Sequence, residues 1–124
     1  MTPHPSDAGD PTVRAIEELS AQIRRSIADL QAADERLAHL AELRARGQSW
    51  LDIVSNESRP LVVETITHVL ENLGETGGRF RREEALALQR ENVSTYRIGQ
   101  LFGVSRQRIS ALVRVRDSSP DRGV

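Results

Sequence analysis

Apolar residues recur at helical spacing along most of this chain, and no stretch alternates with the period of two that marks a strand. The pattern therefore predicts an all-α fold. From Ile16 onward, heptad positions a and d hold Ile16, Leu19, Ile23, Leu30, Ala33, Leu37 and Leu40, with Ser26 and Arg44 as the exceptions. Asp10 is a suitable N-cap, Pro11 fits the first helical position and Gly47 supplies a left-handed stop. Residues 11–47 thus form one long helix, about 35 residues and ~50 Å. Its seam predicts a coiled-coil-like assembly helix and a homodimer, with a purely intramolecular bundle as the alternative. Ile27 and Leu43 lie beside the seam and widen it, as a helix that also packs on its own chain requires. A parallel in-register pair would set Asp29 against Asp34, so an antiparallel or splayed pairing has equal weight.

Residues 48–78 predict two middle helices. One runs from Ser49 to about Ser55; the other runs from Pro60 to Leu73 with Leu61, Val62, Ile66, Val69, Leu70 and Leu73 as its apolar face, ended by Gly74, Gly77 and Gly78. A third unit, residues 79–116, begins with a helix from about Phe80 to Glu91 stopped at Asn92. Ser94 then caps a short helix reaching Phe102, and Ser105 caps the last. Residues 1–10 and 117–124 are too poor in apolar side chains to offset the entropy of ordering and are expected to be flexible tails. Leu43, Gly47, Ser49 and Ile53 correspond to Leu88, Asn92, Ser94 and Ile98 at one constant offset. Either a helix, left-handed turn and capped helix occur twice as a repeat, or the same capping chemistry arose independently.

Charge sharpens this division. Residues 1–78 hold 7 Arg against 13 Asp and Glu, a net of −6, whereas residues 79–116 hold 9 Arg against 3 Glu, a net of +6. A basic half beside an acidic one points to nucleic-acid contact through the basic half alone, or to attraction between the halves.

Within the basic half, "LFGVSRQRISALVR" interrupts an apolar-periodic helix with Gly103, Val104 and Ser105. A mid-helix Gly costs about 1 kcal/mol relative to Ala, so the interruption needs a use. Two helices crossing over a tight turn need a small residue at the crossing, a residue tolerant of positive φ in the turn, and buried apolar residues on both sides. Gly99, Gly103, Ile98, Phe102, Val104, Ile109 and Leu112 meet those needs. In these residues the chain resembles the helix-turn-helix family of DNA-binding transcriptional regulators. The ending "RREEALALQRENVSTYRIGQLFGVSRQRISALVR" is similar to that of small actinobacterial regulators and to the DNA-reading region of bacterial sigma factors.

The resemblance implies a C-terminal trihelical unit whose last helix enters the major groove of double-stranded DNA. It implies base reading by Ser105, Arg106, Gln107, Ser110 and Ala111, with Arg106 suited to guanine, Gln107 to adenine and Ala111 to a thymine methyl. Thr95, Tyr96, Arg97, Arg108 and Arg114 are the expected phosphate contacts. The bland alternative is that these arginines only solvate a surface.

Other chemistry is sparse. The chain has no Cys, its three His are scattered, and no phosphate-binding Gly loop or nucleophile–base pair is evident, so no catalytic residue, metal or cofactor is expected. No leader of basic-then-apolar type and no long apolar span stands out, which predicts a cytoplasmic, nucleoid-associated protein without a membrane partner. The functional expectation is a sequence-specific transcriptional regulator. The alternatives are an adaptor whose acidic half meets RNA polymerase or another protein, and a nucleoid-organising DNA binder.

Overall fold

The helix boundaries are set by short-range chemistry that the structure, a computed structural model, displays across residues 9–117, with side chains described through Arg114. The tails expected for residues 1–10 and 117–124 lie, apart from Gly9, Asp10 and Asp117, outside the described residues. The described residues form five helices and no strand: α1 Pro11–Ala45, α2 Trp50–Ser55, α3 Val62–Arg90, α4 Thr95–Phe102 and α5 Arg106–Asp117.

At the start of α1, Asp10 Oδ1 accepts the Thr12 N–H at 2.8 Å while the Asp10 carbonyl accepts from Arg14 at 3.1 Å. At its end Gly47 takes φ 96°, and the Gln48 N–H donates to the Leu43 carbonyl at 3.2 Å. This closure satisfies a carbonyl that the last helical turn leaves open. Ser49 then caps α2 by accepting the Asp52 N–H at 3.1 Å. The same sequence of events follows α3: Asn92 takes φ 67°, the Val93 N–H donates to the Leu88 carbonyl at 3.0 Å, and Ser94 accepts the Arg97 N–H at 3.1 Å. Ile53 and Ile98, the matching apolar positions, are both buried. The two stretches thus share local geometry as well as residues.

Two expectations are corrected. Gly74, Gly77 and Gly78 do not end a helix; α3 runs through them as one element, so the boundary drawn at residue 78 falls inside it. None of the three takes a positive φ. Each interior Gly costs roughly 1 kcal/mol of propensity. Against that cost, Val62, Val69 and Thr76 form a buried row and Ile66, Leu73 and Phe80 a half-buried one alongside it, so burial holds the helix where propensity alone would end it. The start of α3 also differs, at Val62 rather than Pro60. The Leu61 N–H donates to Glu64 Oε1 at 2.7 Å and the Val62 N–H to Glu57 Oε2 at 3.0 Å, so two carboxylates fix the first turn after the proline.

The chain divides into two compact units. One spans Leu19–Glu75 and holds most of α1, all of α2 and the first half of α3. Here the expected a/d seam is split. The d residues Ser26 and Ala33 are buried, with Leu19 and Leu40 half-buried, whereas the a residues Ile23, Leu30 and Leu37 stay exposed. Ser26, an exception to the apolar seam, is small and accepts from Gln22 Nε2 at 3.2 Å, and Arg25 Nη2 in turn donates to Gln22 Oε1 at 2.9 Å. Small, satisfied residues let α1 pack closely within its own chain, and half of the seam is spent there. Arg36 ties the turn before α3 to α1, donating to the carbonyls of Pro60 at 2.6 Å and Ser58 at 2.7 Å with Glu57 Oε2 at 3.6 Å.

The other unit comprises α1 through Glu18 and the chain from Thr76 on. Thr12 Oγ1 donates to the Glu83 carbonyl at 3.1 Å and Arg79 Nε lies 3.5 Å from Glu18 Oε2, so α1 and α3 run antiparallel here. Beyond this contact Ala85, Ile98 and Ile109 form a buried core from α3, α4 and α5, with Leu88, Val93, Phe102, Val104, Leu112 and Val113 packed around it.

Arg36→Ala is expected to lower stability by about 1–2 kcal/mol, the scale of charge-assisted bonds discounted for partial exposure. Arg36→Lys should lose most of the same amount, since an ammonium lacks the guanidinium fork that spans two carbonyls. Urea denaturation measures both; an unchanged midpoint for Arg36→Ala would contradict the tie.

Candidate functional site

The turn between α4 and α5 positions the residues expected on α5. Gly103 caps α4 with φ 72° and ψ 29°, and the Val104 N–H donates to the Gly99 carbonyl at 2.9 Å. Gly99 is buried, and a Cβ built on it would stand 2.7 Å from the Val104 carbonyl oxygen. The two glycines therefore serve different needs. Gly103 supplies a backbone conformation that L-residues avoid, and Gly99 supplies room for backbone to approach backbone. Ser105 then starts α5, its Oγ accepting the Arg108 N–H at 3.1 Å and its carbonyl accepting from Ile109 at 3.2 Å.

On α5 the buried or half-buried positions are Ile109, Ser110, Leu112 and Val113, and the exposed ones are Arg106, Gln107, Arg108, Ala111 and Arg114. Helical spacing lines up Gln107, Ala111 and Arg114 along the side opposite the core. Among the described residues Arg106, Gln107 and Arg114 have no side-chain hydrogen-bond or ion-pair partner, and all three are exposed. Ser110 lies at the margin of that face. Ser105 is exposed, but its Oγ is engaged in capping.

Of the positions expected on α4, Thr95 is half-buried at the first turn, while Tyr96 and Arg97 are exposed. Gln100 links the latter two, accepting from Arg97 Nη1 at 3.3 Å and donating to Tyr96 Oη at 3.2 Å. These contacts fix two long side chains on the outer surface of α4, and Gln100 is a residue that sequence reasoning did not select.

It also missed Arg81. The guanidinium carbon of Arg81 stands 4.3 Å from the centre of the Phe102 ring. With Phe102, Val104, Arg108, Ile109, Ala111 and Leu112 it lines an open cleft of about 450 Å³. Arg108 thus faces the cleft side of α5, and Ala111 lies at the rim where that side meets the outward row. No local sequence signal joins Arg81 to Phe102, because the pairing depends on how α3 lies across α4.

Among the described residues no group of three or more His, Asp or Glu gathers as metal ligands, and no helix is long and apolar enough to cross a membrane. Compared with known proteins, the chain matches no family model, no curated protein and no solved structure.

Substitutions at glycines separate the two structural demands from plain helix propensity. Gly99→Ala forces a Cβ onto a backbone oxygen and should destabilise by about 1–3 kcal/mol, and Gly103→Ala should also destabilise, by about 1 kcal/mol or more. Gly78→Ala, in a helix with open space at its Cβ, should instead stabilise by up to ~1 kcal/mol. Thermal or urea melts of the three variants test this; a neutral Gly99→Ala would mean that α4 does not approach the turn as described.

Proposed function

We propose that the chain is a sequence-specific double-stranded DNA-binding regulator of transcription that acts as a dimer, with α4 and α5 as a helix-turn-helix and α5 as the reading helix. The observation that carries this reading is the N-terminal end of α5. There, exposed Arg106 and Gln107, with no partner among the described residues, stand on the first turn of a helix that Ile109 anchors on Ala85 and Ile98, within the segment of net charge +6. A guanidinium and a carboxamide held on a rigid, exposed helix end match the bidentate donor–acceptor patterns of guanine and adenine edges in the major groove. Ser110 and Ala111 are short enough for close approach to base edges. Arg97 and Tyr96 on α4 and Arg108 and Arg114 on α5 flank that face and suit phosphate oxygens, as does Thr95 at the start of α4. A regulator of this kind works on the nucleoid.

A second reading has its own observation. Trp50, Leu51 and Val54 of α2 are exposed large apolar side chains in the acidic half, which fits contact with a protein such as RNA polymerase. An adaptor would use that surface and show no duplex affinity at any salt. A nucleoid organiser would bind duplex without sequence preference and release it steeply with salt.

Selection from a random-sequence duplex pool would supply a preferred site for titration at several salt concentrations. Arg106→Ala or Gln107→Ala is expected to cost about 1–3 kcal/mol on that site and little on scrambled duplex. Arg97→Ala or Arg114→Ala should weaken both duplexes alike and reduce the salt slope by about 1 per lost contact. If the first pair leaves the preference intact, α5 is not the reading helix.

A further inference from the structure

We infer that the Leu19–Glu75 unit joins a second copy of this chain through one apolar side of its α1–α3 pair, with the two α1 helices antiparallel. The inference deepens the dimeric part of the function proposed above and is independent of DNA binding. On α1, Ile23, Ile27, Leu30 and Leu37 are 43–51% exposed, and on α3 Val63 and Leu70 are 72% and 65% exposed. The α1 residues occupy heptad positions a and e, rotated about 100° from the buried face of that helix; Val63 and Leu70 are rotated by a similar angle from the buried row of α3. Arg36 places the start of α3 beside the C-terminal part of α1, and the row Val62 and Val69 is buried as α3 runs back along α1. Because the helices run in opposite directions, equal rotations bring both exposed rows to the same side of the pair.

Six large aliphatic side chains exposed on one side of a two-helix layer form the kind of apolar patch that marks an interaction surface. A two-helix layer closes its core by stacking on another layer, and a second identical pair makes a four-helix bundle. Gly74 continues the α3 row beyond Leu70, exposed and with nothing within 4 Å of a Cβ, which leaves room for the backbone of a second copy to approach.

Charge selects a copy of this chain and its polarity. Between Ile23 and Leu37 Asp34 is the one charged residue within the α1 stripe, and among the described residues neither it nor Arg24 forms an ion pair. A parallel in-register pairing sets each Asp34 beside its counterpart. An antiparallel pairing centred near Asp29 sets Asp34 beside Arg24 of the second copy and Ile27 against its Leu30.

Sedimentation equilibrium on the full chain tests this. The parent should sediment at twice the 13.8 kDa chain mass. Leu30→Glu and Leu70→Glu should each raise the dissociation constant at least about tenfold, as a charge buried without a partner does, with helix content by circular dichroism unchanged. Asp34→Arg and Arg24→Asp should each weaken the dimer, and the double variant should restore it. A monomeric parent overturns dimerisation altogether. A dimer indifferent to Leu30→Glu and Leu70→Glu overturns this face, and one broken by them but not rescued by the double charge swap overturns the antiparallel arrangement. None of these outcomes depends on the DNA titrations, which judge the reading helix separately.

Discussion

The close approach of Gly99 to the carbonyl of Val104 is the constraint on which the three-helix unit depends. The Val104 N–H, donating to the Gly99 carbonyl, and the Gly103 N–H, donating to the Gln100 carbonyl, close the end of α4, and the absence of a Cβ on Gly99 lets the next residues fold back against it. Gly103 makes the reversal at positive φ, and Ser105 starts the next helix at once. With the turn this tight, Ile98 and Ile109 meet Ala85 in one small core, and the remaining surface of α5 is left outward. A looser turn would allow α5 to rotate, and the positions of Arg106, Gln107 and Arg114 would no longer be fixed together. A contact between two backbone segments thereby governs which side chains α5 turns outward.

Much of the structure is written in short-range signals. Asp10, Gly47, Ser49, Asn92, Ser94, Gly103 and Ser105 each act within five residues of themselves, through one side-chain oxygen or one left-handed backbone position, so their roles are legible from the sequence. The outward side of α5 was legible for the same reason, since helical periodicity fixes which positions oppose Ile109 and Leu112. What was not legible depends on distant residues. The glycines at 74, 77 and 78 look like a stop when read locally. The alternation of four and three residues through Val62, Ile66, Val69, Leu73, Thr76 and Phe80 carries the opposing signal, that one buried face continues past them. Arg36 on the carbonyls of Ser58 and Pro60, and Arg81 over Phe102, join residues more than twenty positions apart, and nothing local marks them.

The long first helix illustrates how one pattern supports two uses. Its a/d spacing looks like a single seam, yet the central d positions hold small residues, Ser26 and Ala33, that suit close packing in the same chain, while the neighbouring a positions hold large Ile and Leu that remain exposed. In that central stretch residue size separates the two rows. The same division appears on α5, where Ile109 and Leu112 anchor the helix and Arg106, Gln107 and Arg114 stay exposed. Packing thus decides the fold, and the unpaired residues it leaves on each surface decide what the surface can do.

On the proposed function, the exposed end of α5 meets the edges of duplex DNA. Amide chemical-shift mapping by NMR during titration with the duplex selected for tight binding tests it most directly, because it reports every residue at once without altering any. The expected result is that the largest shifts fall on Ser105 to Ala111, with smaller ones on Thr95 to Arg97 and at Arg114. Shifts confined to α1 and α2, or none at a saturating duplex concentration, would contradict it.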